Sequence, residues 1–166
     1  MYKVEVNKTD IVVLKEWESG ERDILLKFHK FLKGELKKGI LTLVGFNVLK
    51  FDIPCLIYRF HYHKLNPLNK IFEIFRKAYV RDLRQCLLPF NKYSFKGLSA
   101  ERIAEIFRIT KPCYSGSQIK GFYDRKKYGK IVEHAISDIK FLSDLSWSIR
   151  DPKMIFERFT KTHRGS

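Results

Sequence analysis

Two aspartates in this sequence stand at positions where a carboxylate could bind a metal ion. Asp52 follows a short apolar run, Leu41–Phe46, which is rich in β-forming residues and is typical of a buried strand. Asp138 lies on the apolar stripe of a predicted helix, three residues after Ala135 and four before Leu142. A carboxylate that faces a core is unfavourable unless it is paired, hydrogen-bonded or bound to a metal. Mg²⁺ and Mn²⁺ prefer oxygen ligands, so two carboxylates on different elements suit a divalent-metal site.

Three further side chains lie close to these aspartates along the chain. Asn47 and Phe51 precede Asp52 at the carboxyl end of the predicted strand, which is where open α/β sheets bind ligands. His134 lies one helical turn before Asp138 and on the same side of the helix. An imidazole there could orient a water molecule or act as a general base.

Asp82 could supply a third carboxylate, and each of the other two aspartates also has a simpler role that does not involve a metal. Asp82 ends a second predicted strand, Ala78–Leu83, and is a candidate third metal ligand, although a turn or capping role also fits its position. Asp52 could likewise serve only as a helix cap. Asp138 could be a surface residue at the edge of the stripe, beside a solvated histidine. The residues alone leave these alternatives open.

The elements that must position these residues begin with a predicted hairpin. Tyr2–Asn7 alternates apolar and polar residues, a turn signal follows, and Ile11–Trp17 predicts the second strand. Ser19 is the expected cap of the next helix, which ends at Gly34 or Gly39.

The two later strands are separated by helical segments, one from about Pro54 to Tyr62 and one over Leu68–Lys77. Strand–helix–strand units form right-handed crossovers and leave their strands parallel. The sequence therefore predicts an α/β fold with a mixed sheet, in which an antiparallel hairpin and a parallel portion are flanked by helices.

The C-terminal half is predicted to be mostly helical. Ala100–Phe107 and Tyr128–Trp147 show apolar residues at helical spacing, whereas Thr110–Tyr123 holds a proline and two glycines and predicts irregular chain. We expect residues 1–150 to form a single domain and residues 151–166 to form a short C-terminal helix and tail.

The charge is strongly basic, with 33 Lys and Arg against 18 Asp and Glu and a net charge of +15. Between Lys64 and Lys130 there are 16 basic and 5 acidic residues, interleaved with 11 aromatic residues. A basic chain of this kind predicts a polyanionic partner, and the aromatic rings favour single-stranded nucleic acid. A basic structural or assembly protein is the alternative, and it would need neither aspartate.

The cysteines and the hydropathy indicate the compartment. Three widely spaced cysteines are typical of reduced thiols rather than of a zinc site. No apolar run reaches membrane-spanning length, and the N-terminus lacks the pattern of a signal peptide. We expect an intracellular, cytoplasmic protein without a membrane partner.

The two aspartate segments together resemble a known family. Asn47, three residues and then Phe51-Asp52, set between an apolar strand and a helix, resemble the second motif of the DEDD 3′-5′ exonucleases, and most closely that of the proofreading domain of family B DNA polymerases. In that family the aspartate binds a catalytic metal and the aromatic ring packs near the terminal nucleotide. The segment IVEHAISDIKFLSDL resembles the third motif, with His134 where the family has a tyrosine and Asp138 at the metal-binding aspartate.

This resemblance covers residues 21–145 and implies a ribonuclease-H-like mixed sheet with flanking helices. The family's first motif, Asp-x-Glu, has no clear match, and the nearest candidate is Glu5-Val6-Asn7. The N-terminal hairpin looks more like the family's second and third strands, so the first strand is missing on that interpretation. The sheet must then close differently or borrow a strand, from another copy of the chain or from a replication partner.

Two functions follow from the resemblance. The first is a 3′-5′ exonuclease-like domain that acts on the 3′ end of single-stranded DNA, with Mg²⁺ or Mn²⁺ held by Asp52 and Asp138. The second is a catalytically degenerate member that binds nucleic acid or a replication or repair partner.

Overall fold

The computed structural model describes residues 11–65 and 68–163. In this part of the chain, helices surround two short strands. In chain order the elements are α1 (Glu16–Ser19), α2 (Glu21–Lys38), β1 (Thr42–Gly45), α3 (Asp52–Tyr62), α4 (Leu68–Lys77), β2 (Tyr79–Asp82), α5 (Leu83–Cys86), a 3₁₀ turn (Leu88–Asn91), α6 (Ala100–Phe107), α7 (Gly116–Asp124), α8 (Tyr128–Ser148) and α9 (Pro152–His163).

The strands β1 and β2 form a parallel pair, with Thr42 opposite Tyr79 and Gly45 opposite Asp82. Helices α3 and α4 make the crossover between them. Both strands, their parallel direction and the two connecting helices agree with the sequence-based prediction. The fold is therefore broadly α/β, although helices make up most of it and the described residues form a sheet of two strands.

The prediction that Ile11–Trp17 forms the second strand of an N-terminal hairpin is wrong. Residues 11–15 form no regular element, and a helical turn begins at Glu16. Tertiary contacts account for the difference, because the Trp17 ring stacks on Tyr128 at 4.5 Å and the Tyr123 hydroxyl donates a hydrogen bond to Glu16. The first strand of that hairpin, residues 2–7, and with it the candidate Glu5-Val6-Asn7, lie outside the described residues.

The start of α2 also differs from the prediction. Ser19 is the last residue of α1, and the N-cap is Gly20, whose φ of 77° suits a glycine. Helix α2 continues through Gly34 and ends at Gly39 (φ 142°), the second of the two predicted end points. Its first residue, Glu21, forms a hydrogen-bonded ion pair with Arg59 of α3, and this contact lowers the pKa of Glu21 to about 2.

The prediction that Thr110–Tyr123 is irregular is also partly wrong, because Gly116–Asp124 forms helix α7. A capping box starts this helix: the Ser115 side chain accepts from the backbone N–H of Gln118, and the Gln118 side chain accepts from the N–H of Ser115. In the sequence alone, the two glycines of this segment favour irregular chain more strongly than the capping box favours a helix.

Two groups of buried apolar side chains hold the helices. The larger joins α5, α6, α8 and α9 and includes Phe107, Leu145 and Phe159. The C-terminal helix belongs to this core, because its Phe159 ring meets Phe107 edge to face at 6.3 Å. The smaller joins α2, α3 and α4 through Leu25, Phe60 and Ile71. Within residues 11–65 and 68–163, no helix is both long and apolar enough to cross a bilayer.

Candidate functional site

The carboxylate of Asp82 connects the ends of the two strands. Asp82 is only 3% exposed, and it accepts hydrogen bonds from four backbone N–H groups. Two of them belong to Arg84 and Gln85 at the start of α5, so Asp82 is the cap of that helix. The other two belong to Asn47 and Leu49, at 2.9 and 3.1 Å, in the loop that follows β1. Asp82 therefore holds this loop against the end of β2.

The loop that carries Asn47, Phe51 and Asp52 folds back tightly over the end of β1. Asn47 has a φ of 65°, a left-handed conformation that asparagine tolerates better than most residues. Gly45 leaves room for the loop, because a Cβ at this position would lie 2.8 Å from the Cβ of Val48. This geometry places Asp52 in the first turn of α3, which begins two residues before the predicted start at Pro54, and Phe51 rather than Asp52 is the N-cap residue.

Arg84 also contacts this loop. Its guanidinium donates a hydrogen bond to the Asn47 side-chain oxygen at 3.0 Å and to the backbone carbonyl of Phe95, and it lies over the Phe95 ring. Sequence reasoning missed Arg84, since this contact links positions 37 residues apart. The only local signal was its position just after a strand that ends in aspartate.

Asp52 and Asp138 line one cleft of about 420 Å³. Helix α3 contributes Asp52 and α8 contributes Asp138, and these are the only charged residues among the described lining. The other lining residues are apolar side chains and a glycine: Phe28, Leu43, Val44, Gly45, Phe46, Val48, Ile53, Leu56, Phe75, Ala100, Pro112, Phe141 and Leu142. The two aspartates that the sequence predicts as a pair therefore line the same cleft, and their joint role as metal ligands stays a prediction.

Both carboxyl groups hold their protons more tightly than usual. Partial removal from water raises the pKa of Asp52, a backbone N–H of the same residue opposes this, and the negative charges of Asp82 and Asp138 add to the rise. Partial burial also raises the pKa of Asp138, and the neighbouring His134 opposes that rise. Two like charges beside an apolar wall favour either a proton or a cation in the cleft.

His134 lies next to Asp138, as the helical spacing predicts. Its Nε2 is 3.5 Å from a carboxylate oxygen of Asp138, and its Nδ1 is buried with no hydrogen-bond partner among the described residues. The Tyr114 ring lies 6.3 Å from the imidazole. Because Tyr114 comes from the segment before α7, sequence periodicity on α8 could not identify it as a neighbour.

The remaining predicted site residues lie outside the cleft lining. Phe51 is the N-cap residue of α3 and is 66% exposed, so its ring is available to a ligand. Asp82 is engaged by N–H groups and does not contact the cleft. A role for Asp82 as a third metal ligand stays a prediction. No group of three or more His, Cys, Asp or Glu side chains is arranged to hold a metal ion in the described part of the chain.

A basic groove lies at the other end of the strands, between α2 and α4. It encloses about 560 Å³, and its lining includes Lys33, Lys37, Lys70, Lys77 and Tyr79. Tyr79, the first residue of β2, is 67% exposed. Of the four lysines, Lys77 is paired, at 2.5 Å, with Glu73. We call this surface the lysine groove.

Comparison of the chain with protein-family models, with curated proteins and with solved structures finds no match.

Proposed function

We propose that this chain is an exonuclease-like domain that acts on the 3′ end of single-stranded nucleic acid, with Asp52 and Asp138 as ligands of one divalent cation. The observation that carries the proposal is that both aspartates line one largely apolar cleft, although they are 86 positions apart in the sequence. Their raised pKa values, which come chiefly from partial burial, support it, because a bound cation would stabilise the ionised form of both carboxylates.

The donor set suits one loosely held ion rather than a two-metal site. Mg²⁺ is commonly held by one or two carboxylates, keeps several waters and gains further oxygens from substrate phosphates. Mn²⁺ generally binds sites with nitrogen and oxygen ligands more tightly than Mg²⁺ does. A bound cation would supply charge neutralisation at a phosphate. We therefore expect any cleavage to be weak and to depend on Mn²⁺ more than on Mg²⁺.

The chain's own residues have distinct roles in this proposal. Asp82 and Arg84 position the loop, so that Asp52 is held at the end of the sheet. Phe51 is exposed one residue earlier and would stack on the terminal base. His134 would orient water near Asp138. The parallel strand pair, its helical crossover and the position of Asp52 after β1 support a ribonuclease-H-like arrangement.

The lysine groove supports a nucleic-acid partner. The Glu73 carboxylate lines the same groove, pairs with Lys77 and interacts electrostatically with Lys33, so the four lysines of the groove outnumber its one carboxylate. Phosphates would neutralise them, and the exposed Tyr79 ring offers a stacking surface beside them. This groove extends the basic surface beyond the Lys64–Lys130 region predicted from the sequence.

A calorimetric titration with Mn²⁺ tests the cation site directly. We expect weak binding to the wild type and at least roughly tenfold weaker binding to Asp52→Asn and to Asp138→Asn, which corresponds to about 1.4 kcal/mol. Asp144→Asn is the matched control, because Asp144 is an exposed residue of α8 outside the cleft. Equal Mn²⁺ affinity in all four proteins would show that the aspartate pair is not a cation site.

The absence of a third clustered ligand in the described residues favours a second function, binding of nucleic acid without cleavage. An assay on single-stranded DNA labelled at its 5′ end separates the two. Shortening from the 3′ end that requires Mn²⁺ and is lost in Asp138→Ala supports the exonuclease-like function. Binding without shortening in either metal supports the binding module. Cleavage that survives both Asp138→Ala and EDTA would have to come from another site or another protein.

A further inference from the structure

A groove between β1 and the C-terminal half of α8 differs in its chemistry from the cleft. It encloses about 350 Å³, and its lining includes Val44, Ile139 and Trp147 together with two serine hydroxyls. Arg150 is the only charged residue in the lining that the structure describes. The groove therefore pairs an apolar surface with a positive charge, whereas the cleft pairs one with two carboxylates. We call this surface the tryptophan groove.

The Trp147 ring and the Arg150 guanidinium form a stacked pair in this groove. The guanidinium carbon lies 3.3 Å from the centre of the ring. Trp147 is nevertheless 47% exposed, so the part of the indole that Arg150 does not cover faces water. Aromatic rings and guanidinium planes are the side-chain groups on which unpaired bases stack. The pair therefore offers a stacking surface for a planar ligand.

A second guanidinium reaches the groove from the strand pair. Arg81 of β2 donates a hydrogen bond at 3.4 Å to the hydroxyl of Ser146, which lines the groove. Among the residues that the structure describes, neither Arg81 nor Arg150 forms an ion pair with a carboxylate. Guanidinium groups bind phosphate oxygens through directed, charge-assisted hydrogen bonds. The groove thus combines a surface for a planar group with donors for an anion, and a nucleotide presents both.

The tryptophan groove adjoins the cleft. Val44 and Leu142 line both of them. Val44 is opposite Arg81 in the strand pair, so the two side chains lie on one face of the sheet. Tyr79 precedes Arg81 by two residues, on the same face and about 7 Å away along β2. A single strand that extends from the cleft toward Tyr79 and the lysine groove would therefore pass the tryptophan groove.

We propose that the tryptophan groove binds a nucleotide upstream of the 3′ end of a single strand, with its base on Trp147 and its phosphate at Arg150 and Arg81. Val44 and Ile139, which are 41% and 37% exposed, become covered by the bound nucleotide. This inference rests on the proposed function for the position of the 3′ end. The contact itself involves neither the aspartates nor a cation.

Charge favours a nucleic acid over a second copy of the chain as the occupant. Exposed apolar side chains that are contiguous, as these are, also mark contacts between proteins. Two copies would each bring a net charge of +15 to the interface, and the guanidinium groups of the groove would add to the repulsion. A polyanion instead neutralises Arg81 and Arg150.

Tryptophan fluorescence reports on the stacking directly. The chain has two tryptophans, so Trp147 is the sole emitter in Trp17→Phe. We expect a single-stranded oligonucleotide of about eight nucleotides to quench this emission to saturation in EDTA, because a base stacks on the indole. Trp147→Phe, in which Trp17 is the sole emitter, is the control and should show no quenching. Unchanged Trp147 emission while the labelled oligonucleotide is bound, as measured by its anisotropy, would overturn the proposal.

Affinity measurements in EDTA separate the two parts of the contact. We expect Trp147→Ala to bind the oligonucleotide about tenfold more weakly than the wild type, which corresponds to about 1.4 kcal/mol, and Trp147→Phe to retain most of the affinity because it keeps a ring. Arg150→Gln should reduce the salt slope by about 0.7. Arg22→Gln is its control, since Arg22 is exposed on α2 and lines neither groove nor the cleft. Equal affinity in Trp147→Ala and the wild type would overturn the proposal.

Three further measurements distinguish this site from the proposed cation site and from other occupants. Mn²⁺ should bind Trp147→Ala as tightly as it binds the wild type, so a failure of the tryptophan groove and a failure of the cation site give different results. A mononucleotide that binds as tightly as the oligonucleotide would assign the groove to a free nucleotide and overturn the proposal. Sedimentation of a wild-type dimer that Trp147→Ala dissociates, with unchanged oligonucleotide affinity, would assign it to a second copy and overturn it as well.

Discussion

At the scale of single residues, one buried carboxylate has the largest structural role. Asp82 satisfies four backbone N–H groups from two segments that are distant in sequence, and its contacts set the conformation of the loop before α3. Asp52 and Asp138 differ from it, because both remain in contact with water and hydrogen bonds from other residues do not satisfy them to the same extent. Asp82 thus stabilises the fold, whereas the carboxylates of Asp52 and Asp138 remain accessible to the cation that we propose.

We expect Asp82→Ala to lower the free energy of unfolding by about 3 kcal/mol or more, since hydrogen bonds to a charged group are worth about 1.5–3 kcal/mol each and their donors would be left buried. Urea denaturation followed by circular dichroism measures the change. Asp144→Ala, on the exposed side of α8, should change the free energy of unfolding by less than about 0.5 kcal/mol. A similar small change in both variants would contradict the role assigned to Asp82.

The raised pKa values of Asp52 and Asp138 predict a dependence of stability on pH. Because the folded pKa lies above the unfolded one, the contribution of each group is fully present below about pH 4 and is lost as the pH rises through the folded pKa. Asparagine cannot ionise. We therefore expect Asp52→Asn to be more stable than the wild type at pH 7 without divalent cations, and the difference to vanish near pH 4.

This comparison must be made between the two proteins at each pH. The pKa of Glu21 is shifted in the opposite direction, to about 2, so acid also removes a stabilising contact in both of them. Urea denaturation midpoints at several pH values in EDTA provide the measurement. If the stability advantage of Asp52→Asn over the wild type grows as the pH falls, the pKa of Asp52 is not raised in the folded protein.

At the scale of elements, the regular parts of the fold could be predicted and the exceptions have identifiable causes. A short apolar run before Gly45 predicts β1, and apolar residues at helical spacing predict α8, so the positions of both elements follow from the sequence. Asp52 and Asp138, which these elements position, line one cleft. The segment Ile11–Trp17 has β-forming composition, but the contacts of Trp17 with α8 override it. The hydrogen bonds of Asp82 and Arg84 to the loop join residues more than 30 positions apart in the sequence. Local sequence patterns carry no information about contacts of this kind.

Two glycines in neighbouring elements are expected to respond in opposite directions to the same substitution. Gly45→Ala places a Cβ 2.8 Å from Val48 and should destabilise by about 1–3 kcal/mol. Gly34→Ala, inside α2 with no atom within 4 Å of the new Cβ, should stabilise by about 0.5–1 kcal/mol. Thermal unfolding of the two variants beside the wild type checks both signs, and a stable Gly45→Ala protein would show that the loop does not need the close approach.

At the scale of the whole molecule, the cleft and the lysine groove lie at opposite ends of the strand pair. Asp52 follows the carboxyl end of β1, whereas Tyr79 begins β2. Four-residue strands are about 13 Å long, so under the proposed function a single strand of a few nucleotides would be long enough to extend from one surface to the other. Binding through several phosphates must then weaken with salt.

For each phosphate that a lysine neutralises, the slope of log affinity against log salt changes by about 0.7 for a single strand. We expect Lys33→Ala combined with Lys37→Ala to reduce the slope for a labelled oligonucleotide by about 1.4. Lys38→Ala is the control, because Lys38 pairs with Glu35 and does not line the groove. Fluorescence anisotropy over a range of salt concentrations measures the slopes, and equal slopes in the variants and the wild type would place the contacts elsewhere.

The link between Asp82 and Asn47 also has a consequence for how fast the protein folds and unfolds. It closes a loop of 35 residues, which costs about 3 kcal/mol of chain entropy before the hydrogen bonds form. Contacts between α3 and α4 are local and can form earlier. Asp82 is then expected to act after the folding transition state, so Asp82→Asn should accelerate unfolding and leave the refolding rate nearly unchanged in stopped-flow experiments. The lifetime of the native state, rather than the speed of reaching it, would be set by this one side chain.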